Sequence, residues 1–174
     1  MNQWLERMIP QARYLSVYEI PFAEYRARGV EVLVFDIDNT LVSYDVPCPD
    51  ASLLDLFQKL TDLGFSIAFV SNNSKERVEL FNRPLGFFAV YDSHKPLRKA
   101  LLPVAEHFGK KGGEVLVIGD QLLTDVYAAS HWGFRTAVVQ PVKEKETLFF
   151  RFKRFLERRI LRMYEKKREK EKTK

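Results

Sequence analysis

A single cysteine, Cys48, stands in the 174 residues of this chain. One cysteine excludes an intramolecular disulfide framework and suits a reducing compartment. Lying between two prolines, with no histidine close by in sequence, it does not read as a nucleophile. Long apolar runs are missing as well. No stretch approaches the roughly 20 residues that cross a bilayer. The first residues mix Glu6, Arg7, Gln11 and Arg13 into their apolar positions, where a signal peptide would carry an uninterrupted core. A cytoplasmic protein is expected. Histidine is scarce: of three, His107 and His131 fall in segments of helical period and read as packing or surface residues, and His94 stands beside Lys95. The net charge of +5 is unevenly placed. Of 28 Lys+Arg and 23 Asp+Glu, residues 1–150 hold 16 and 19, which leaves 12 and 4 for residues 151–174. The basicity belongs to the tail.

What the chain does have is core. Hydrophobic residues make up 46% of it and aromatics 13%, ample for one packed domain. The densest information lies in residues 32–41, VLVFDIDNTL, an apolar strand-like run that breaks into two aspartates one residue apart, then Asn39 and Thr40. Alternate side chains of an extended segment share a face, so Asp36 and Asp38 can address one reacting centre. By itself the pattern also fits a strand ending in a capped turn.

Further along, apolar runs alternate with helix-period segments, the pattern of a parallel sheet covered by helices. Strands are expected at residues 32–35, 65–70, 87–90, 115–118 and 134–139. A helix opening at Pro49 and Asp50 is expected to bury Leu53, Leu54, Phe57, Leu60 and Leu63 and to close at Gly64. Other helices are predicted over residues 74–82, 96–108 with a kink at Pro103, and 122–131. Just past the strands stand further polar residues: Ser71, Asn72 and Asn73 in FVSNNS, Lys95 in SHKP, and Asp120 in VLVIGDQLLTD, with Asp125 five residues later. Carboxyl ends of strands are where open parallel sheets place ligands.

These four motifs, in this order, resemble those of the haloacid dehalogenase superfamily of phosphotransferases over residues 32–139. The resemblance implies an α/β fold, a Rossmannoid parallel sheet with helices on both faces. About ten residues separate Thr40 from the next helix and 24 separate Ser71 from Lys95, too few for a cap domain, so the chain resembles the capless subfamily IIIA. The family pattern implies Asp36 as nucleophile and Asp38 as general acid and base, with Lys95 neutralising the phosphoryl group. Thr40, Ser71, Asn72 and Lys95 are expected to bind phosphate. Mg²⁺ is expected at Asp36, Asp120 and the main-chain carbonyl of Asp38. Asp125 is expected as a metal ligand or as a partner of Lys95. Superfamily members that transfer no phosphoryl group often alter the second acidic position, which is intact here as Asp38.

After residue 147 the apolar residues Leu148, Phe152, Phe155, Leu156, Ile160, Met163 and Tyr164 recur as one stripe at helical spacing among arginines and lysines. Such a basic amphipathic helix suits the headgroup region of an anionic bilayer, or its stripe packs on the domain. The first 30 residues bring Trp4, Tyr14 and Tyr18, suited to an interface or to covering a sheet edge. This divides the chain into an extension (1–30), a phosphatase domain (31–147) and a basic tail (148–174). Over nearly its full length the chain resembles the YqeG-type branch of subfamily IIIA, similar to the mitochondrial and plastid phosphatidylglycerophosphate phosphatases. That resemblance implies Mg²⁺-dependent dephosphorylation of an anionic phospholipid, by a protein peripheral on the inner face of a membrane. A phosphatase of a soluble nucleotide or sugar phosphate is the first alternative. A non-enzymatic RNA- or ribosome-binding protein is the second, and nucleic acid is the less expected partner because Asp36, Asp38, Lys95 and Asp120 are intact.

Overall fold

The computed structural model describes residues 6–143 together with residues 159, 160 and 162. Its strands are β1 Ala12–Tyr14, β2 Val32–Phe35, β3 Ser66–Val70, β4 Phe88–Val90, β5 Val115–Gly119 and β6 Arg135–Val139. They form one sheet in the order β1-β6-β5-β2-β3-β4, with every pair parallel. The central strands β2 and β5 are buried at every residue, as a sheet covered on both faces requires.

The helices are α1 Phe22–Ala27, α2 Ala51–Asp62, α3 Lys75–Asn82, α4 Leu102–Phe108 and α5 Tyr127–Ser130. On one face Leu33 and Phe35 of β2 cluster with Phe22 of α1, Phe57 of α2 and Val78 and Phe81 of α3. Phe57 is the hub, edge-on to Phe35 at 5.4 Å, Phe69 at 5.5 Å and Phe87 at 5.6 Å; such pairs add about 0.5–1.5 kcal/mol each beyond area burial. On the other face Val32 and Val34 meet Leu101, Val104, Ala128 and Ala129 from the α4 and α5 segments. The expected α/β sheet with helices on both faces is present. Among the described residues no domain is inserted between β2 and α2 or between Ser71 and Lys95.

Several local expectations need correction. In α2, Leu53, Phe57 and Leu60 are buried but Leu54 and the C-cap residue Leu63 are exposed, so the apolar stripe is narrower than its leucines suggest. Pro103 does not kink a long helix: a 3₁₀ turn, Arg98–Leu101, precedes α4, and Pro103 falls in the first turn of α4, where its missing N–H costs no helical bond. In place of one helix over residues 122–131 stand a π-helical turn, Leu122–Val126, and the short α5.

Described residues of the two outer segments also pack on the domain. Strand β1 pairs with β6 through Ala12–Ala137 and Tyr14–Val139, closing that edge of the sheet. Ile160 is buried in a cluster with Met8, Leu122, Val126 and Val138, while Arg159 and Arg162 are exposed. The other residues of the tail stripe, and Trp4, lie outside the described residues.

Winding fixes where a ligand belongs. From β2 the chain runs to β3 and β4 on one side, then crosses to β5 and β6 on the other. The direction reverses between β2 and β5, and such a switch point opens a crevice at the carboxyl ends of the strands. Asp36 and Asp120 are the first residues beyond those two ends.

Candidate active site

Asp36 stays in the ladder, its N–H donating to the Ile118 carbonyl (2.9 Å). The chain then turns sharply. Asn39 takes a left-handed φ of 69°, its N–H donates to Val42 O (2.7 Å), and Leu41 N–H donates to Ile37 O (3.0 Å). The turn brings the Thr40 hydroxyl back onto Asp36 Oδ2 (3.1 Å) and within 3.5 Å of Asp120 Oδ1. Thr40, expected on phosphate, thus orients two carboxylates.

Lys95 is buried, and its ammonium donates to Asp36 Oδ1 (2.8 Å), Asp125 Oδ1 (2.7 Å) and the Val70 carbonyl (2.7 Å). An ammonium has three protons, so each has its acceptor. The π-helical turn aims Asp125 at Lys95, and Gln121 N–H steadies Asp125 Oδ2 (3.2 Å). Residue 119 must be glycine for this: a Cβ there would overlap the Asp125 carboxylate.

Asn72, also expected on phosphate, lines the cavity but commits its side chain to the loop that presents Lys95. Its Nδ2 donates to Lys95 O (2.9 Å), and its Oδ1 accepts from Lys95 N–H (2.7 Å) and Ser93 Oγ (2.7 Å). Ser71 is buried beside it, its Oγ accepting from Asn73 N–H (3.0 Å). Across the cavity, Asp38 Oδ1 accepts from Arg77 Nη2 (3.0 Å) and Oδ2 from Asn73 Nδ2 (3.0 Å). His94 does not line the cavity, and His107 stacks on Phe88 at 4.0 Å.

The electrostatics are those of crowded carboxylates. Burial pushes the Asp36 carboxyl up to about 6, with Lys95 opposing and Asp125 adding to the rise. Burial works against the Lys95 ammonium too, but the Asp125 and Asp36 carboxylates outweigh it and hold its pKa above the usual lysine range. Burial and the same carboxylates, Asp120 first, push the Tyr44 phenol up to about 12. Asp36, Asp120 and Asp125 each offer an oxygen, all within 4.8 Å of one another. Three carboxylates against one lysine leave negative charge in excess, and hard oxygen donors in this number fit a divalent cation such as Mg²⁺.

The cavity above these groups measures about 180 Å³; Asp36, Asp38, Ser71 and Lys95 line it, with Tyr44, Gln121 and Thr124 at its sides. Expected residues of the first three motifs, Asp36, Asp38, Ser71, Asn72 and Lys95, meet around it; Asp120 and Asp125 of the fourth gather with Asp36 without lining it, and Thr40 reaches Asp36. Missed by sequence reasoning were Arg77, Asn73 as a partner of Asp38, Tyr44, Gln121 and Thr124. For Arg77 a weak sign existed: it is a cation in the first turn of a helix, against the macrodipole.

Residues 44–133 match the family model of the haloacid dehalogenase-like hydrolases. The chain is 35% identical, over 91% of its own length and 92% of the relative's, to a Bacillus subtilis (strain 168) protein named Probable phosphatase YqeG. It is 23% identical over 78% of its length to Phosphatidylglycerophosphate phosphatase 1, chloroplastic/mitochondrial, of Arabidopsis thaliana, and spans 42% of that longer protein. Among solved structures, the 3-deoxy-D-manno-octulosonate 8-phosphate phosphatase from Moraxella catarrhalis, in complex with magnesium ion, phosphate ion and KDO, shares the fold: TM-score 0.52 at 18% identity, over 72% of this chain and 76% of that one. With its four motifs at one switch point and a relative similar from end to end, the chain belongs to the haloacid dehalogenase-like hydrolase family and is a phosphatase of that family.

Proposed function

We propose that the enzyme removes the terminal phosphate of phosphatidylglycerophosphate at an anionic membrane surface, through an aspartyl-phosphate on Asp36. The observation that carries this reading is the open cavity of about 180 Å³ with Asp36, Asp38 and Lys95 in its wall. Pockets that engulf a small molecule run to about 300–1,000 Å³. This one suits a phosphoryl group and little more, so the rest of the substrate stays outside, as a lipid headgroup in its bilayer does.

In the proposed reaction an Asp36 oxygen attacks phosphorus as the ester P–O bond breaks, and Asp38 gives its proton to the departing oxygen. Water then attacks the acyl-phosphate, losing a proton to Asp38, and phosphate leaves. Lys95 and Ser71 balance and orient the transferring oxygens. Mg²⁺ held by Asp36 and Asp120, with Asp125 close by, would supply the positive charge that lets two anions meet.

Two observations support a lipid. The relative from Arabidopsis thaliana carries that activity in its name. Of the nine large apolar residues exposed among the described residues, Leu15, Tyr91 and Val142 come shortly after carboxyl ends of strands and Tyr44 lines the cavity. Single exposed apolar residues are ordinary; those that follow strand ends, with tyrosines among them, suit an interfacial zone. No helix of the described residues is long and apolar enough to cross a membrane, so contact would be peripheral.

The test is phosphate release by the purified protein, with Mg²⁺ and with chelator, from phosphatidylglycerophosphate in vesicles beside soluble nucleotide and sugar phosphates. Faster Mg²⁺-dependent release from the vesicles is expected. Preference for a soluble ester would remove the lipid assignment and keep the chemistry; no release from any ester would remove both.

A further inference from the structure

Asp38 stands just before the turn that begins at Asn39, and the terminal torsion of an aspartate is broad, with no strongly preferred orientation of the carboxylate plane. A group that must hand a proton to one particular oxygen needs that plane fixed. Here it is gripped at two points, Arg77 Nη2 on Oδ1 and Asn73 Nδ2 on Oδ2. A carboxylate has about four lone-pair directions. Two are taken, which leaves Asp38 lone pairs for the cavity it lines.

Arg77 is itself a fixed post. Its Nη1 donates to Pro47 O (3.0 Å), its Nη2 also donates to Val46 O (2.8 Å), and its guanidinium lies 5.6 Å from the Phe81 ring centroid. Its N–H is capped by Ser74 Oγ (3.5 Å), which starts α3 directly after the Ser71–Asn73 loop. With 14% of its side chain exposed, it does not behave as a solvated surface arginine. The same guanidinium thus ties three things together: the helix behind the phosphate loop, the Val46–Pro47 segment that follows Tyr44 at the cavity, and the Asp38 carboxylate.

We propose that Arg77 is a positioning residue for the leaving-group proton: by gripping Asp38 from behind while anchored to Val46, Pro47 and Phe81, it aims the free edge of that carboxyl at the ester oxygen. This rests on the reading of Asp38 as acid and base. In the step at issue the Asp38 O–H bond breaks, its proton joins the ester oxygen, the P–O bond opens and the alcohol departs. The Asp38 carboxylate left behind keeps its bond to Arg77. A phenol such as 4-nitrophenol leaves without that proton; an alkyl alcohol does not. Arg77 therefore governs how strongly the rate depends on the leaving group.

The experiment compares kcat/KM for 4-nitrophenyl phosphate and for glycerol 3-phosphate in the full chain. Its variants are Arg77→Met, which keeps the stem over Phe81, and Arg77→Lys, which keeps the charge and loses the fork. Arg77→Met is expected to lower turnover of the alkyl ester on the order of 100-fold, within the usual range of general acid catalysis, and of the aryl ester less than about threefold. Arg77→Lys should lie between, and carries the test if Arg77→Met fails to fold. In an Asp38→Asn background Arg77→Met should add nothing, because the group it aims is gone. Equal losses on both esters would make Arg77 merely structural, and no loss on either would make it idle; both overturn the inference. Wild-type protein inactive on both esters and on phosphatidylglycerophosphate in vesicles would instead bring down the reading of the reaction itself.

Discussion

The two aspartates of the first motif sit two residues apart in regions built on opposite plans. Around Asp36 the charges close on themselves: Lys95 joins Asp36 and Asp125, all three are buried, and every ammonium proton has its acceptor. Around Asp38 they open outward, through Arg77 to the backbone carbonyls of Val46 and Pro47. The closed ring draws on residues from the ends of β2 and β3, the loop after β4 and the turn after β5. The open clamp draws on Asp38, the Val46–Pro47 segment, Asn73 in the loop after β3 and Arg77 in the first turn of α3. The ring therefore reports whether the sheet has assembled, and the clamp reports how one carboxylate is aimed.

Breaking the ring at its reacting atom should have the largest effect. Asp36→Asn fills the same space but cannot form an acyl-phosphate, so turnover should fall about 10⁴-fold or more with the far-ultraviolet spectrum unchanged. Beryllofluoride should bind the wild type and not this variant. Wild-type-like rates in Asp36→Asn would remove the proposed intermediate.

Lys95→Met should follow, because it strands two buried carboxylates. Removing one partner of a buried charge pair costs about 3–5 kcal/mol, to be read by urea unfolding without metal. Adding Asp125→Asn should restore part of that stability but not the activity. Asp120→Ala, outside the ring, should instead raise the Mg²⁺ needed for half-maximal rate by at least the ~10–100-fold that outer-shell changes cost. If Lys95→Met unfolds at wild-type urea, or if both variants shift the metal titration alike, the division between ring and metal site is wrong.

Gly119→Ala is a quieter break. The new methyl meets Asp125, so the π-helical turn has to shift. A loss of about 1–3 kcal/mol, the usual cost of overpacking, is expected. The aryl and alkyl esters should lose rate alike, because the Asp38 clamp is untouched; a selective loss on the alkyl ester would show that the two regions are not separable.

The smallest effect on both regions should come from Arg159→Glu with Arg162→Glu, which reverses two exposed charges and leaves Ile160 in place. Binding to anionic vesicles should weaken by about 1 kcal/mol or more per residue, with added salt imitating part of the loss. Soluble-ester turnover should stay as it was. Unchanged sedimentation with vesicles would exclude these arginines from membrane contact.

Elements made by composition alone were legible in the sequence. The runs that became β2 and β5 are apolar at nearly every position because both their faces are covered, and Asp50 and Gly64 marked the limits of α2 by capping and by a left-handed φ of 80°. What was not legible depends on distant partners. Ala12–Tyr14 carries no strand pattern of its own and becomes β1 only by pairing with β6. The π-helical turn looks like an ordinary helix until Asp125 must reach Lys95. In the site, the residue types demanded by phosphoryl chemistry stood out at strand ends. Motif order says that Thr40 and Asn72 gather at the site but not which atoms they face, here Asp36 and Asp120 for Thr40 and the Lys95 loop for Asn72. Arg77 stayed hidden because its acceptors, Val46 and Pro47, lie 31 and 30 residues earlier in the chain.

Met8 and Ile160 meet on the turn that presents Asp125, with β1 and β6 side by side next to them. During synthesis the strands emerge from first to last, and the earliest must wait for the latest before its edge is paired. The packing that supports the catalytic turn is completed later still, by Ile160, well beyond β6. A ribosome-bound chain stopped at β6 would carry Asp36, Asp38, Lys95, Asp120 and Asp125 yet lack that support. Competence for catalysis is thus tied to the emergence of Ile160, so chains stopped between β6 and that residue should be poor enzymes even when every reactive side chain is present.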